Sequence, residues 1–341
     1  MDRHFPIHQK GFRQEVIDVF FAHCRHTARF WPGGFFLSLI LLAGGCATPQ
    51  SDRLLASPFA HTPAVELTAV PFFAQTQYQC GPASLAMVLN WAGVPIAPED
   101  LVPQVYLPER QGSFQVELLA ATRRQGRVPY VLSPQLESVV SEVTAGNPVL
   151  VLQNLGYSWH TQWHYAVVVG FDMPHEEVVL RSGTEARHVV SMQLFEHTWA
   201  RSGHWAMVVT APPRLPETAE ELPYLRSVAT LEQVQRHAEA AAAYSAALQR
   251  WPTSLGAHIG LGNSRYAMGD LAGAEAAFRQ ALAIHPDTAV VLNNLAQTLA
   301  DHGQLDQAQP LAVRATQLEP TNALYRETLE EVRRRAPRAA P

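Results

Sequence analysis

The last third of the chain repeats itself with a period of 34 residues. Prolines keep this step at Pro252, Pro286 and Pro320, and glycines keep it at Gly269 and Gly303. Further positions share the step: Ala247, Ala281 and Ala315; Leu261 and Leu295; Tyr244 and Phe278. Several residue types with one period indicate repeated helical units, which cannot bury their apolar faces alone and must stack.

A 34-residue period with small residues at packing positions and a proline after the second helix resembles tetratricopeptide repeats. The resemblance implies an all-α solenoid over residues 224–335, whose concave surface would bind a protein or peptide partner. A stabilising appendage without a ligand is the alternative. The segment before it, residues 212–223, is rich in Pro and Glu and is predicted to be a linker.

The N-terminus has the pattern of an export signal. Residues 35–43 are apolar except for Ser38, basic residues precede them, and small residues follow. The run is far shorter than the ~20 residues that a membrane-spanning helix needs. The position of Cys46 directly after the small residues resembles a bacterial lipoprotein signal, in which that cysteine is lipidated. An ordinary cleaved signal with an incidental cysteine is the alternative.

This resemblance implies a signal peptide over residues 1–45 and a lipidated Cys46 at the start of a flexible tether over residues 46–65. Because Ala47 rather than Asp follows the cysteine, we expect a lipid anchor in the outer membrane, with the protein facing the periplasm. Cys24 would leave with the signal, so Cys80 would be the one free thiol of the mature chain. A lone thiol is a liability in an oxidising compartment, which suggests that Cys80 has a function.

Composition excludes several classes of protein. With 341 residues, two globular units plus extra segments are expected, and the net charge of −5 gives no reason to expect a nucleic-acid partner. The three cysteines form no CxxC pair, so neither a disulfide framework nor a zinc site is predicted. No cofactor or other metal is expected.

The residues around Cys80 predict a helix that begins at this cysteine. Pro82 suits a first helical turn, an apolar stretch follows, and Gly93 is a plausible end. At a helix N-terminus the macrodipole and free N–H groups favour a thiolate and can stabilise an oxyanion. A buried structural cysteine is the alternative.

A nucleophilic thiol needs a base, and His164 is the best candidate among fifteen histidines. It opens the sequence HYAVVVGFD, whose apolar run predicts a buried strand that would hold the ring rigidly. His160 lies four residues earlier, but strand and loop character and the lack of a third ligand argue against a metal pair.

The sequences QCGPASLAMVL and WHYAVVVGFD together resemble the bacteriocin-processing, double-glycine peptidase family and its peptidase-like relatives, which have a papain-type fold. The resemblance covers residues 66–211 and implies an α+β papain-like cysteine peptidase domain. It assigns Cys80 as the nucleophile and His164 as the base. It also assigns Gln75 as the oxyanion donor, with Gln79 as the fallback.

The family orients its histidine with an Asp-Pro pair, and here Ser182-Gly183 stands in that place. Ser182, Glu185 or a backbone carbonyl could orient the ring instead, whereas Asp172 is expected to lie too far away. A Cys–His dyad can also act without a third member, since that member mainly fixes tautomer and orientation.

The resulting expectation is an exported, lipid-anchored cysteine peptidase that acts on a peptide or protein substrate and binds a partner through its repeats. The family's cytoplasmic leader-peptide substrate is not carried over, because this chain points to the other compartment. Two alternatives stay open: a non-catalytic envelope scaffold with a peptide-binding domain, and an amide hydrolase or acyl transferase.

Overall fold

The computed structural model describes residues 48–75, 79–157 and 159–336. The signal segment lies outside the described residues, and so do Cys24 and the predicted lipidation residue Cys46. Across the part of the chain that is described, no helix is both long and apolar enough to cross a membrane.

The first part of the described chain is built on one antiparallel sheet. Its strands are β1 (Val65–Glu66), β2 (Val128–Val131), β3 (Val149–Asn154), β4 (Trp163–Asp172), β5 (Glu177–Ser182), β6 (Glu185–Ser191) and β7 (Ala206–Thr210). The strand order is β2–β7–β3–β4–β5–β6, and β1 pairs with the later residues of β4. The long strand β4 therefore lies near the centre of the sheet.

Helices cover both faces of this sheet. The helices of this part are α1 (Pro49–Leu55), α2 (Cys80–Trp91), α3 (Pro98–Val105), α4 (Gln115–Arg124), α5 (Leu136–Thr144) and α6 (Met192–Ala200). Side chains alternate between the two faces of a strand. In β3, Val149 and Val151 join the core under α5 and α6, whereas Leu150 and Leu152 join the core under α2 to α4. Burial on both faces explains why the strands read as uninterrupted apolar runs.

The repeat region forms seven further helices. They are α7 (Glu221–Glu232), α8 (His237–Arg250), α9 (Leu255–Ala267), α10 (Leu271–Ile284), α11 (Ala289–Asp301), α12 (Leu305–Leu318) and α13 (Ala323–Arg335). Gly269 and Gly303 stand at the turns within two helix pairs and both have a φ of 79°, which glycine adopts without steric strain. The repeated prolines follow the ends of α8, α10 and α12. The predicted fold class, an α+β domain followed by an all-α repeat array, is confirmed.

The segment expected to be a flexible tether is docked from Thr48 onward, which corrects that expectation. The carboxylate of Glu196, buried at the inner side of α6, accepts hydrogen bonds from the N–H of Gln50 at 2.9 Å and of Ser51 at 2.6 Å. Leu54 is fully buried in the sheet core. Polar composition suggested flexibility, but it could not reveal the buried carboxylate that receives this short helix.

The predicted linker is also held in place. Buried Glu142 accepts hydrogen bonds from the N–H of Glu217 at 3.2 Å, and from the N–H and hydroxyl of Thr218 at 2.8 and 2.6 Å. Beyond it, Tyr224 and Val228 of α7 join the same apolar core as the sheet. The repeats are therefore fixed to the sheet domain through a continuous core.

Candidate active site

The structure places Cys80 as the first residue of α2, as the sequence predicted. Most of the first two turns of the helix is buried, so the position of the sulfur is fixed by packing. Gly81 is required by space, because a Cβ at this residue would collide with the side chain of Ser113. Tyr165 holds the Ser113 segment in turn, because its hydroxyl donates to the Ser113 carbonyl at 3.2 Å.

His164 is the second residue of β4, and its ring is bound to Ser182. The distance from His164 Nε2 to Ser182 Oγ is 2.9 Å. The register of β4 and β5 pairs Val167 with Arg181, which places Ser182 on the same face of the sheet as His164. This hydrogen bond leaves Nδ1 as the ring nitrogen that can exchange a proton with a reacting group.

Cys80 and His164 line one cavity of about 930 Å³. Within the described residues, no hydrogen bond joins the Cys80 thiol directly to the His164 ring. Catalytic hydrogen bonds often tighten only when a substrate is bound. The geometry therefore places both groups in one cleft.

Burial favours the neutral form of both groups near pH 7. Burial raises the pKa of the Cys80 thiol above its ordinary value, although hydrogen bonds from the backbone of Tyr165, Gly81 and Cys80 itself lower it. Burial, together with repulsion from His188, lowers the pKa of His164 to about 4. The N–H groups at the start of α2 favour the thiolate as expected, but desolvation of the buried sulfur outweighs them.

Gln75 lies beside this site, but both N–H groups of its side-chain amide are already used. Its Nε2 donates to the hydroxyl of Ser84 at 3.0 Å and to the carbonyl of Tyr165 at 3.2 Å. Its Oε1 accepts from the N–H of Gly183 at 3.0 Å, which fixes the orientation of the amide. Gln75 therefore braces the site and has no N–H left for an oxyanion, contrary to the role expected for it. Gln79, the fallback, directly precedes α2, where its backbone carbonyl accepts from the N–H of Ala83 at 3.2 Å.

The remaining predicted residues lie elsewhere. The Glu185 carboxylate faces the ring of His188, with 3.0 Å between Oε2 and Nδ1, and so it does not orient His164. Asp172 ends β4 and binds His175 at 2.9 Å, far along the strand as expected. His160 forms a short backbone bridge with Tyr157. Among the described residues, no group of three or more His, Cys, Asp or Glu side chains could hold a metal ion.

Two family models match the chain. One describes the Peptidase C39-like family and matches residues 67–207, and the other describes the tetratricopeptide repeat and matches residues 265–332. The chain carries a C39-like domain followed by tetratricopeptide repeats. The comparison with curated proteins gave no match.

Solved structures resemble each part. A crystal structure from Bacillus anthracis that is described as a C39-like peptidase is 21% identical, with a TM-score of 0.37, over 43% of this chain and 97% of that one. The first TPR domain of human RPAP3 is 16% identical, with a TM-score of 0.33, over 34% of this chain and 91% of its own. YrrB, a TPR protein with an unusual peptide-binding site, is 23% identical, with a TM-score of 0.30, over 33% and 58%.

Sequence reasoning missed one wall of the cleft in the C39-like domain. The segment between α3 and α4 contributes Arg110 and Ser113, and the turn after α6 contributes Arg201. These residues come from loops that are distant in sequence, and none stands in a recognisable motif. Only the folding of these loops against the sheet brings the three residues to the cavity.

Proposed function

We propose that the protein is an exported, lipid-anchored cysteine peptidase that hydrolyses peptide bonds with Cys80 and His164. The observation that carries this proposal is the shared cavity, in which a cysteine at a helix N-terminus meets a histidine held by Ser182. The match of the C39-like family model supports it.

The proposed reaction begins with attack of the Cys80 sulfur on the substrate carbonyl carbon while His164 Nδ1 takes the thiol proton. The carbonyl oxygen becomes an oxyanion, for which the Cys80 N–H at the start of α2 would be a preorganised donor. The intermediate collapses to a thioester as His164 gives its proton to the leaving amine. Water then attacks the thioester, His164 takes a proton from it, and the released sulfur is protonated again.

Ser182 would set the tautomer of the base. For Nδ1 to accept a proton, Nε2 must carry its own, and the Ser182 oxygen would accept that N–H. A hydroxyl does this without charge, so it does not raise the pKa of His164 as a carboxylate would. Neutral His164 would then take the proton from neutral Cys80 as the sulfur attacks, and no thiolate–imidazolium ion pair would form beforehand.

Proteolysis of an envelope protein extract by the full chain tests the enzyme, with Cys80→Ala and His164→Ala as inactive variants and His61→Ala as an exposed control. We expect new N-termini that require both Cys80 and His164. The absence of new N-termini with the native chain as well as with both variants would support the non-catalytic scaffold. Amide or acyl-transfer products without new N-termini would support a hydrolase or transferase of another class.

The lipid anchor is proposed from the N-terminal sequence. Only Ala47 separates Cys46 from Thr48, where the docked segment begins. Because an extended residue spans at most ~3.6 Å, an acylated Cys46 would hold the C39-like domain close to the membrane. Incorporation of labelled palmitate, lost in Cys46→Ser and retained in Cys24→Ser, tests the anchor. Fractionation of the two membranes tests the expected outer-membrane location.

The repeats are proposed to bind a protein or peptide partner, as tetratricopeptide repeats generally do. The first helices of two successive repeats, α9 and α11, form one surface, in which Asn294 Nδ2 on α11 donates to Asn263 Oδ1 on α9 at 3.0 Å. A partner on this surface would be held in a fixed orientation to the cleft through the shared core. Crosslinking from position 263, compared with the outward position Glu330, tests whether this surface is occupied.

A further inference from the structure

As far as the described residues line it, the cleft of the C39-like domain has positive charges and no negative ones. Among the residues that line the cavity, Arg110 and Arg201 are cationic, and none is Asp or Glu. The chain as a whole is acidic, with 30 Asp and Glu against 25 Lys and Arg. A cationic lining on an acidic protein is therefore a local arrangement rather than a consequence of composition.

The two arginines differ in how they are held. The Arg201 guanidinium donates to the backbone carbonyls of Asn154 and Gly156, which fixes it at the base of the loop before β4. Arg110 is exposed, and within the described residues its side chain has neither a hydrogen bond nor an ion pair. Its neighbour Glu109 does not pair with it. Arg110 is therefore a cation at the cavity wall that is unpaired within the part of the chain that the structure describes.

Apolar surface stands beside these charges. Phe114 and Trp163 line the same cavity, and their exposed fractions are 47% and 51%. Large exposed aromatic side chains next to a guanidinium form a surface that suits a carboxylate flanked by apolar groups. A cleft lined by one sign of charge also raises the local concentration of ligands of the opposite sign.

We propose that Arg110 is a specificity-determining residue that pairs with a carboxylate of the substrate close to the scissile bond. This inference rests on the proposed peptidase function and specifies its substrate class: an acidic peptide with neighbouring apolar residues. The carboxylate has two sources, an Asp or Glu side chain or the C-terminus of a short peptide. Arg201 adds positive potential from a fixed position.

The first test measures charge preference without any proteolysis. Rate constants for alkylation of Cys80 in the full chain are measured with iodoacetate and with iodoacetamide at one pH, and labelling is read by mass spectrometry of the Cys80 peptide. The thiolate fraction cancels in the ratio of the two rate constants. We expect a ratio roughly three- to tenfold higher than for a free cysteine peptide, as one or two nearby charges in a partly wet cleft would produce.

Arg110→Gln should lower this ratio about two- to fivefold, whereas Arg226→Gln, which removes an exposed charge on α7, should leave it unchanged. Arg110→Lys keeps the charge and should retain most of the ratio. A ratio equal to that of the free peptide, or one that Arg110→Gln does not change, would overturn the proposal.

The second test uses binding and stays informative if the chain is not a peptidase. Fluorescent peptides with Glu or Gln at each position, each with a free or amidated C-terminus, are titrated onto full-length Cys80→Ser. Tighter binding of Glu peptides supports the side-chain source, and tighter binding of free C-termini supports the terminal source. Equal binding of all peptides, or binding of none, contradicts the proposal. Carboxylate selectivity without cleavage by the native chain would reject the peptidase and keep the charge preference.

Discussion

The imidazole Nε2 of His164 lies 2.9 Å from the Ser182 hydroxyl, at the place where the resembled peptidase family has an aspartate. A neutral partner can fix the direction of the ring, but it adds no negative charge to stabilise the imidazolium. Burial is therefore unopposed, and the pKa of His164 falls to about 4. Whether residue 182 is a serine or a carboxylate thus determines whether Cys80 and His164 form a neutral general-base pair or a thiolate–imidazolium pair.

Replacement of Ser182 should change catalysis through His164. Ser182→Ala removes one neutral hydrogen bond, worth about 1 kcal/mol, so we expect kcat to fall roughly fivefold with little change in KM. Ser182→Asp should raise the pKa of His164, which can be followed by NMR of the ring. Ser138→Ala, on α5, serves as the control. A pKa of His164 that does not respond to Ser182→Asp would show that the ring is oriented by another group.

The reactivity of Cys80 should depend on pH as that of a buried thiol does. Because burial raises its pKa, alkylation by iodoacetamide should accelerate steadily above pH 8. A thiolate–imidazolium pair would instead give a plateau that extends from acid to neutral pH. Rates measured from pH 4 to 10, with site-resolved mass spectrometry, distinguish the two profiles. A plateau at pH 5 to 7 would contradict the neutral pair.

Gln75 should matter for stability as much as for turnover. Gln75→Leu would leave the half-buried Gly183 N–H without its partner, which costs about 1–3 kcal/mol, whereas the Ser84 hydroxyl would keep its hydrogen bond to the Tyr165 carbonyl. We expect the midpoint of urea unfolding to fall, whereas Gln249→Leu, at an exposed position on α8, should not lower it. An unchanged midpoint with a large loss of kcat would instead assign Gln75 to the oxyanion.

Glu142 should hold the repeats against the C39-like domain. Glu142→Ala removes the acceptor of three hydrogen bonds from Glu217 and Thr218, and hydrogen bonds to a charged group are worth about 1.5–3 kcal/mol. We expect faster hydrogen exchange over residues 212–224 and a loss of thermal stability. Glu330→Ala, an exposed change on α13, is the control. If hydrogen exchange at residues 212–224 matched that of the control, the shared apolar core alone would hold the repeats against the C39-like domain.

Acid should destabilise the fold through His164. Below pH 6.5 the unfolded chain binds a proton on this residue that the folded chain, with a pKa of about 4, does not bind. The free energy of unfolding therefore falls as the pH drops from 6.5 to 4, by on the order of 3 kcal/mol, and this loss is complete below pH 4. His164→Gln should flatten this part of the pH profile relative to the native chain. His61→Gln should not, and equal slopes in both variants would refute the assignment.

Local patterns predicted much of the architecture. The 34-residue period revealed the helix pairs, because each repeated glycine and proline marks a turn that local backbone sterics require. The start of α2 at Cys80 and the strand after His164 followed from Pro82 and from a short apolar run. Such signals lie within a few residues of the element they describe, and they survive without knowledge of the rest of the chain.

Other expectations failed because they depended on distant groups. The segment after Thr48 is polar, yet its backbone N–H at Gln50 donates to buried Glu196, which lies 146 positions further along the chain. The sequence placed Gln75 near the nucleophile, but Tyr165 and Gly183 decide where its amide points. A side chain with several possible partners cannot be assigned one from spacing alone.

The sequence by itself determined the two kinds of domain, the start of α2 at Cys80 and the strand that carries His164. Only the tertiary structure decided that Ser182 rather than Glu185 contacts the ring, that Cys80 and His164 are both neutral, and that Arg110 reaches the cavity. Helix and strand signals are local and periodic, whereas protonation and charge in a cleft depend on burial and on neighbours brought together by folding.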